Sequence, residues 1–166
     1  YSKKMTPPQL TEVEALELLA QQYGLTGQLS ALPGERDRNF QLCLASGEKN
    51  TFKVVSADVP LESLKVEIRA MQHLNSELGS LVPHPLADRA GHFISQGSLQ
   101  NGSSCWLRLQ SWQPGTPLAE FRPHTTELFH SVGHLMGQVA TSLSTLAVPD
   151  PHPDLAWHPD QASQIV

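Results

Sequence analysis

The first pattern in the chain is an apolar repeat of three or four residues that runs from Gln9 to Gln22. This spacing predicts an amphipathic helix with a buried stripe formed by Leu10, Val13, Leu16, Leu19 and Ala20. Thr11 and Glu14 are spaced for a capping box at its beginning. We expect the helix to end near Tyr23-Gly24.

Beyond this helix the pattern changes to alternation, which is typical of strands. Residues 40–44 alternate between apolar and polar side chains, a turn follows at 46–50, and residues 51–56 resume as a strand. The sequence therefore predicts a hairpin. The loop at its entrance, Leu32-Pro-Gly-Glu-Arg-Asp-Arg-Asn-Phe40, carries four charged side chains.

A second helix is predicted after Pro60, with an apolar stripe formed by Leu61, Leu64, Ile68, Met71, Leu74 and Leu78. Three short strand-like segments follow near 81–87, 92–97 and 104–112, and Asn101-Gly102 predicts a turn between the last two. A long helix is predicted from about Thr125 to Leu146. This order favours an α+β fold, an antiparallel sheet of about five strands with a packed helix.

Composition and charge narrow the class of partner. The net charge is −5 and the eleven Lys and Arg residues are scattered, which argues against nucleic acid. No apolar run approaches the roughly 20 residues of a membrane span. Cys43 and Cys105 lie in alternating segments typical of half-buried thiols, so we expect reduced cysteines in a cytoplasmic protein with a small-molecule partner.

Two residues could form a phosphate-binding pair. Lys53 projects from one face of its predicted strand, and Glu67 lies at the margin of the second helix's stripe. A strand lysine held by a helix glutamate positions ATP in kinase-like folds. The spacing alone favours two solvated surface side chains over this pair. Arg36 and Arg38 could likewise form an anion site, but composition alone favours a solvated charged turn.

A metal site on the long helix is the weaker of two interpretations. His130 and His134 are four residues apart, which places both imidazoles on one side of a helix. Neither lies on the apolar stripe and no third ligand is evident, so the sequence favours a solvated polar face.

From about Leu10 to Ala162 the chain resembles the aminoglycoside-phosphotransferase-like small-molecule kinases. The resembled branch includes hydroxylysine and homoserine kinases and the phosphotransferase domain fused to class III aminotransferases. The segments that carry the resemblance are Tyr23-Gly-Leu25, the loop 32–40, Phe52-Lys-Val54, Trp112-Gln-Pro-Gly-Thr-Pro-Leu118 and Leu155-Ala-Trp157.

The resemblance implies that residues 1–112 form a kinase-like nucleotide-binding N-lobe with an N-terminal helix and a hinge. Residues 113–166 then begin an α-helical C-lobe that is incomplete in this chain. The implied cofactors are ATP and Mg²⁺, and the Mg²⁺ ligands are expected beyond Val166.

The resemblance also assigns roles to individual residues. The loop would cover the nucleotide phosphates through backbone N–H groups near Asp37 to Phe40, Lys53 would bind phosphate with Glu67 as its partner, and the hinge 109–112 would meet adenine. The implied binding residues are Arg36, Asp37, Arg38, Asn39, Phe40, Lys53, Glu67, Gln110 and Trp112.

No catalytic residue is assigned within the chain. Such kinases use an Asp with an Asn five residues later, whereas His152-Pro-Asp154 and His158-Pro-Asp160 are followed by no asparagine. We therefore expect the ATP-binding portion of a kinase that phosphorylates a hydroxyl of an amine-bearing metabolite, with the substrate held by the missing lobe. The alternative is a non-catalytic nucleotide-binding or regulatory module tethered to another enzyme, such as an aminotransferase.

Overall fold

The computed structural model describes residues 7–147, where helices and strands alternate as the sequence predicts. The helices are α1 (Glu12–Tyr23), α2 (Leu61–Leu78) and α3 (Thr126–Ser144), and a turn of 3₁₀ helix at Gly79–Leu81 follows α2. The strands are β1 (Gly27–Leu32), β2 (Arg38–Leu44), β3 (Lys49–Ser56), β4 (Pro85–Leu86), β5 (Ser95–Ser98) and β6 (Ser104–Ser111). Both His-x-Asp triplets and Leu155-Ala-Trp157 lie outside the described residues.

The six strands form one antiparallel sheet, which confirms the α+β prediction. β1, β2, β3 and β6 are neighbours in that order, and β4 and β5 share the far edge of β6. On that edge Leu86 pairs with Leu109 and Ser95 with Leu107. The sheet has one strand more than the five expected, because β1 (Gly27–Leu32) was not among the predicted strands.

The two faces of the sheet differ in character because side chains alternate along each strand. On the outer face Phe40, Phe52 and Leu107 are fully buried beneath α1. The Tyr23 ring of α1 stands edge-on to Phe52, with 6.0 Å between ring centroids. The inner face carries Lys53 and is partly covered by α2.

The buried side of α1 differs from the predicted stripe. Leu19 is buried as expected, but Val13 is 64% exposed and Glu14 is buried instead. The Thr11 hydroxyl caps the helix by accepting from the Glu14 N–H at 3.2 Å. The Glu14 carboxylate accepts from the backbone N–H of Gln100 at 2.6 Å, and this hydrogen bond offsets the cost of burying a charge.

α3 packs against α2 through polar contacts near its C-terminal end. His73 Nε2 lies 2.9 Å from the Ser142 carbonyl oxygen, and Arg69 donates to the Ala147 carbonyl at 3.1 Å. Phe129 and Met136 of α3 remain 53% and 67% exposed. Within residues 7–147 no helix has both the length and the apolar character needed to cross a membrane.

Both cysteines are free thiols, Cys43 half-buried and Cys105 fully buried. Burial raises the pKa of the Cys105 thiol to about 11, so this side chain stays protonated at neutral pH. It therefore behaves as a small apolar core residue and not as a nucleophile.

The reoriented helix face is testable by a pair of truncations in α1. Leu19→Ala removes a side chain with no solvent exposure and should lower the free energy of unfolding by about 2–5 kcal/mol. Val13→Ala should change it by no more than about 0.5 kcal/mol, because Val13 is mostly in solvent. Urea unfolding of both variants measures the difference, and similar losses would refute the described orientation of α1.

Candidate functional site

The inner face of the sheet presents two rows of polar side chains. Directly paired residues on neighbouring strands lie on the same face. Asn39, Lys53 and Arg108 therefore form one row, and the row beside it is Gln41, Thr51 and Gln110. Polar groups in this number on a central strand and its neighbours make a surface suited to a polar ligand.

Lys53 contacts the loop that precedes β2. Its Nζ lies 3.0 Å from Asp37 Oδ2, and both side chains are mostly buried. Asp37 belongs to the turn at 33–37 that joins β1 to β2. The structure thus brings together two of the predicted site residues.

The turn at 33–37 is held in a tight shape by Asn39 and Gly34. The Asn39 side-chain amide donates to the Pro33 carbonyl at 3.2 Å. A Cβ added to Gly34 would lie 2.3 Å from the Asp37 carbonyl oxygen, so only glycine fits at this position. These contacts fix the backbone from which the Asp37 carboxylate reaches Lys53.

The predicted ion pair between Lys53 and Glu67 is not formed. Glu67 Oε2 instead lies 2.6 Å from Nη1 of Arg108 on β6. The cause is the position of α2, which contacts the β4 edge of the sheet, so Glu67 meets β6 before it can reach β3.

Arg108 is the functional candidate that sequence reasoning missed. It is only 3% exposed, and within the described chain its buried Nε has no hydrogen-bond partner. The available signal was its place between Leu107 and Leu109, which puts a cation on the opposite face from two core leucines.

Two of the predicted loop residues turn away from the site. Arg38 stacks on the Phe40 ring, with 5.7 Å from Cζ to the ring centroid, and both side chains lie on the outer face. Pairing of β2 with β1 and β3 also engages the backbone N–H groups of Asn39 and Phe40. Any cradle of backbone N–H groups must therefore come from residues 34–37, which include Arg36 and Asp37, because Pro33 has no N–H.

The predicted hinge lies at the end of β6. The side chain of Gln110 shares the inner face with Thr51, its partner on β3. The Ser111 N–H donates to the His84 carbonyl at 3.0 Å, and the Ser111 hydroxyl accepts from the His84 N–H at 3.0 Å. Trp112 follows directly and is partly buried, so main-chain groups not used by the sheet begin at this residue.

His130 and His134 lie on the exposed surface of α3. Among residues 7–147, no three or more His, Cys, Asp and Glu side chains are grouped so that they could hold a metal. The two histidines line open hollows along α3 that contain Gly133, and none of the ion-paired residues of the sheet lines either hollow. We place the candidate site at Lys53, where buried charge and a shaped loop coincide.

Comparison with solved structures identifies kinases that share this fold. The amicoumacin kinase hAmiN, in complex with AMP-PNP, Ca²⁺ and Ami, matches 86% of this chain with a TM-score of 0.69 and 20% identity. A microcompartment-associated aminopropanol kinase matches 92% with a TM-score of 0.67 and 12% identity. The match covers 42% and 48% of those chains, so this chain spans less than half their length.

No protein-family model matches the sequence, and neither does any curated protein. The two structural matches confirm, at the level of the fold, the resemblance to small-molecule kinases that the sequence indicated.

The tight turn is testable by substituting its glycine. Gly34→Ala forces the Asp37 carbonyl or the Asn39 amide to move and should lower the free energy of unfolding by about 1–3 kcal/mol. Gly133→Ala is the matched control, because its Cβ meets open space in a helix and should stabilise the protein by about 0.5–1 kcal/mol. Denaturant titration measures both, and an unaffected Gly34→Ala variant would contradict the described turn.

Proposed function

We propose that this chain is the ATP-binding N-lobe, hinge and first C-lobe helix of a kinase that phosphorylates a hydroxyl of a small amine-bearing metabolite. Residues 1–112 are the proposed lobe and hinge, and residues 113–166 begin the second lobe. Acid–base and metal-binding groups would be supplied by the rest of the protein.

The observation that carries this proposal is the ion pair between Lys53 and Asp37 beneath the turn at 33–37. A partly buried ammonium group beside a tight turn is an arrangement that suits phosphate. The Asp37 carboxylate already lies against the Lys53 ammonium on its loop side, where an anion is attracted. A nucleotide phosphate would take the place of that carboxylate.

The solved neighbours support the choice of ligand. One contains AMP-PNP, a nucleotide analogue, together with Ca²⁺, and the other is named for aminopropanol, a compound with both an amine and a hydroxyl. The similarity to the aminopropanol kinase favours an amino alcohol as the substrate. The two free thiols agree with a reducing compartment, so we infer a cytoplasmic enzyme.

Of the two implied cofactors, ATP is the one that the described residues fit. Lys53, the N–H groups of residues 34–37 and the inner-face amide of Gln110 would hold MgATP by its phosphates and base, while Mg²⁺ would neutralise charge on the phosphates during transfer. Mg²⁺ is usually held by one or two carboxylates together with the substrate phosphates. We assign these carboxylates to the second lobe, as the resemblance to small-molecule kinases implies.

Lys53→Met tests this assignment in the intact protein. It removes the ammonium but keeps an unbranched side chain, so MgATP affinity should fall at least about tenfold, which is about 1.4 kcal/mol. Isothermal titration calorimetry measures the dissociation constant. The control is Lys65→Met, which removes an exposed lysine of α2 paired with Glu62 and should leave the affinity unchanged.

Equal affinity in the wild type and Lys53→Met would refute the role of Lys53. Phosphoryl transfer is assayed separately, with simple amino alcohols as acceptors and phosphorus NMR as the readout. MgATP binding that depends on Lys53, without transfer to any acceptor, would favour the non-catalytic nucleotide-binding module over the kinase.

A further inference from the structure

The side-chain amide of Asn39 lies where the turn at 33–37 meets the strand that carries Lys53. Asn39 pairs directly with Leu32 on β1 and with Lys53 on β3, so it stands at the end of the hairpin from which the turn projects. Directly paired residues on neighbouring strands have Cβ atoms about 5 Å apart and on the same face. The amide is therefore a neighbour of the lysine side chain on the inner face.

The two ends of this amide differ in their partners. Nδ2 donates to the Pro33 carbonyl at 3.2 Å. Oδ1 is buried, and none of residues 7–147 donates a hydrogen bond to it. A buried acceptor without a donor costs stability, so a native protein that keeps one has a reason to do so.

The amide also lies against the peptide that carries Asp37. A Cβ added to Gly34 would clash with both the Asn39 amide nitrogen and the Asp37 carbonyl oxygen, so these two groups border the same small space. The Asp37 carboxylate in turn lies 3.0 Å from Lys53 Nζ. Asn39, Asp37 and Lys53 thus form one polar cluster, and the unpartnered oxygen belongs to it.

We propose that Asn39 is a positioning residue of the nucleotide site, whose Oδ1 accepts a hydrogen bond from the Lys53 ammonium when a nucleotide phosphate takes the place of the Asp37 carboxylate. The inference rests on the proposed function. An ammonium group has three N–H donors, and a phosphate bound on the loop side leaves a donor for Asn39.

The chemistry of the two side chains explains why an amide suits this position. Lysine has a flexible four-carbon stem, so an acceptor that fixes the ammonium reduces the side-chain entropy lost when phosphate binds. An amide oxygen carries no net charge, so it holds the ammonium without repelling the phosphate beside it. Asn39 therefore directs Lys53 toward the ligand while leaving its positive charge available.

The test is a double-substitution cycle in the intact protein, with MgATP as the probe and calorimetry as the measurement. Asn39→Ala removes the acceptor and should lower MgATP affinity about tenfold. In the Lys53→Met background the same substitution should lower affinity less than about threefold, because no ammonium remains to be positioned. A role confined to the shape of the turn would give the same loss in both backgrounds.

Adenosine and a second asparagine provide the controls. Adenosine has no phosphate, so it should bind the wild type and Asn39→Ala equally if the variant keeps its fold. Asn75→Ala is the matched substitution, because the Asn75 amide also donates to a backbone carbonyl, that of Gly79 at 2.9 Å, but at the end of α2. It should leave MgATP affinity unchanged.

The side-chain amide signal of Asn39 gives a second measurement without a substitution at that position. A donor bound to Oδ1 changes the polarisation of the amide group, so its ¹⁵N–¹H resonances should shift with saturating MgATP and not with adenosine. The shift should be lost in Lys53→Met saturated with MgATP. The Asn75 amide should shift with neither ligand.

Three results would overturn the inference. They are unchanged MgATP affinity in Asn39→Ala, an equal loss in the wild-type and Lys53→Met backgrounds, and an Asn39 amide signal that MgATP does not shift. An equal loss of adenosine and MgATP binding in Asn39→Ala would likewise show a purely structural role. A wild-type protein that does not bind MgATP would refute the proposed function itself, whereas binding that needs Lys53 but not Asn39 would refute this inference alone.

Discussion

The alternation of side chains along β3 is the constraint on which the rest of the structure depends. Phe52 and Val54 enter the core beneath α1, and this places Lys53 on the opposite face. β3 is paired on both edges, with β2 and with β6, so its register is fixed from two sides. A slip of one residue would bury the lysine in the apolar core and expose both core residues, which makes alternative registers costly.

The same alternation explains the division of the loop residues. Arg38 and Asn39 are neighbours in sequence, yet one stacks on Phe40 outside the sheet and the other joins the polar row inside it. The consecutive residues Asp37 and Arg38 therefore lie on opposite sides of the sheet, with the Asp37 carboxylate at the inner face and the Arg38 guanidinium on the outer face. The alternation of side chains along the strand therefore decides which charged groups can meet at the site.

Much of the fold could be predicted from the sequence because it depends on local periodicity. The helix after Pro60, the hairpin and the orientation of Lys53 follow from patterns within a few residues. Val13 and Glu14 show the limit of such reasoning, since both fit a helical face. The choice between them depends on the backbone N–H of Gln100, which is distant in sequence.

The partner of Glu67 could not be predicted for a similar reason. Any cation on the inner face satisfies the sequence pattern, and the selection is made by the lateral position of α2 over the β4 edge. That position is a property of packing between elements, and no residue of α2 encodes it alone. Arg108 became a candidate only when the face of β6 and the reach of the helix were both known.

Helix α2 contacts both the sheet and α3, and so connects the ion pair on β6 to α3. Glu67 and His73 lie six residues apart on one helix, about 9 Å along its axis, and each is bonded to a different neighbour. The helix segment between these two residues is continuous, so the Ser142 contact and the carboxylate that Arg108 holds share one rigid support. The Glu67–Arg108 ion pair is thus connected to α3 through a segment of α2 that is less than two turns long.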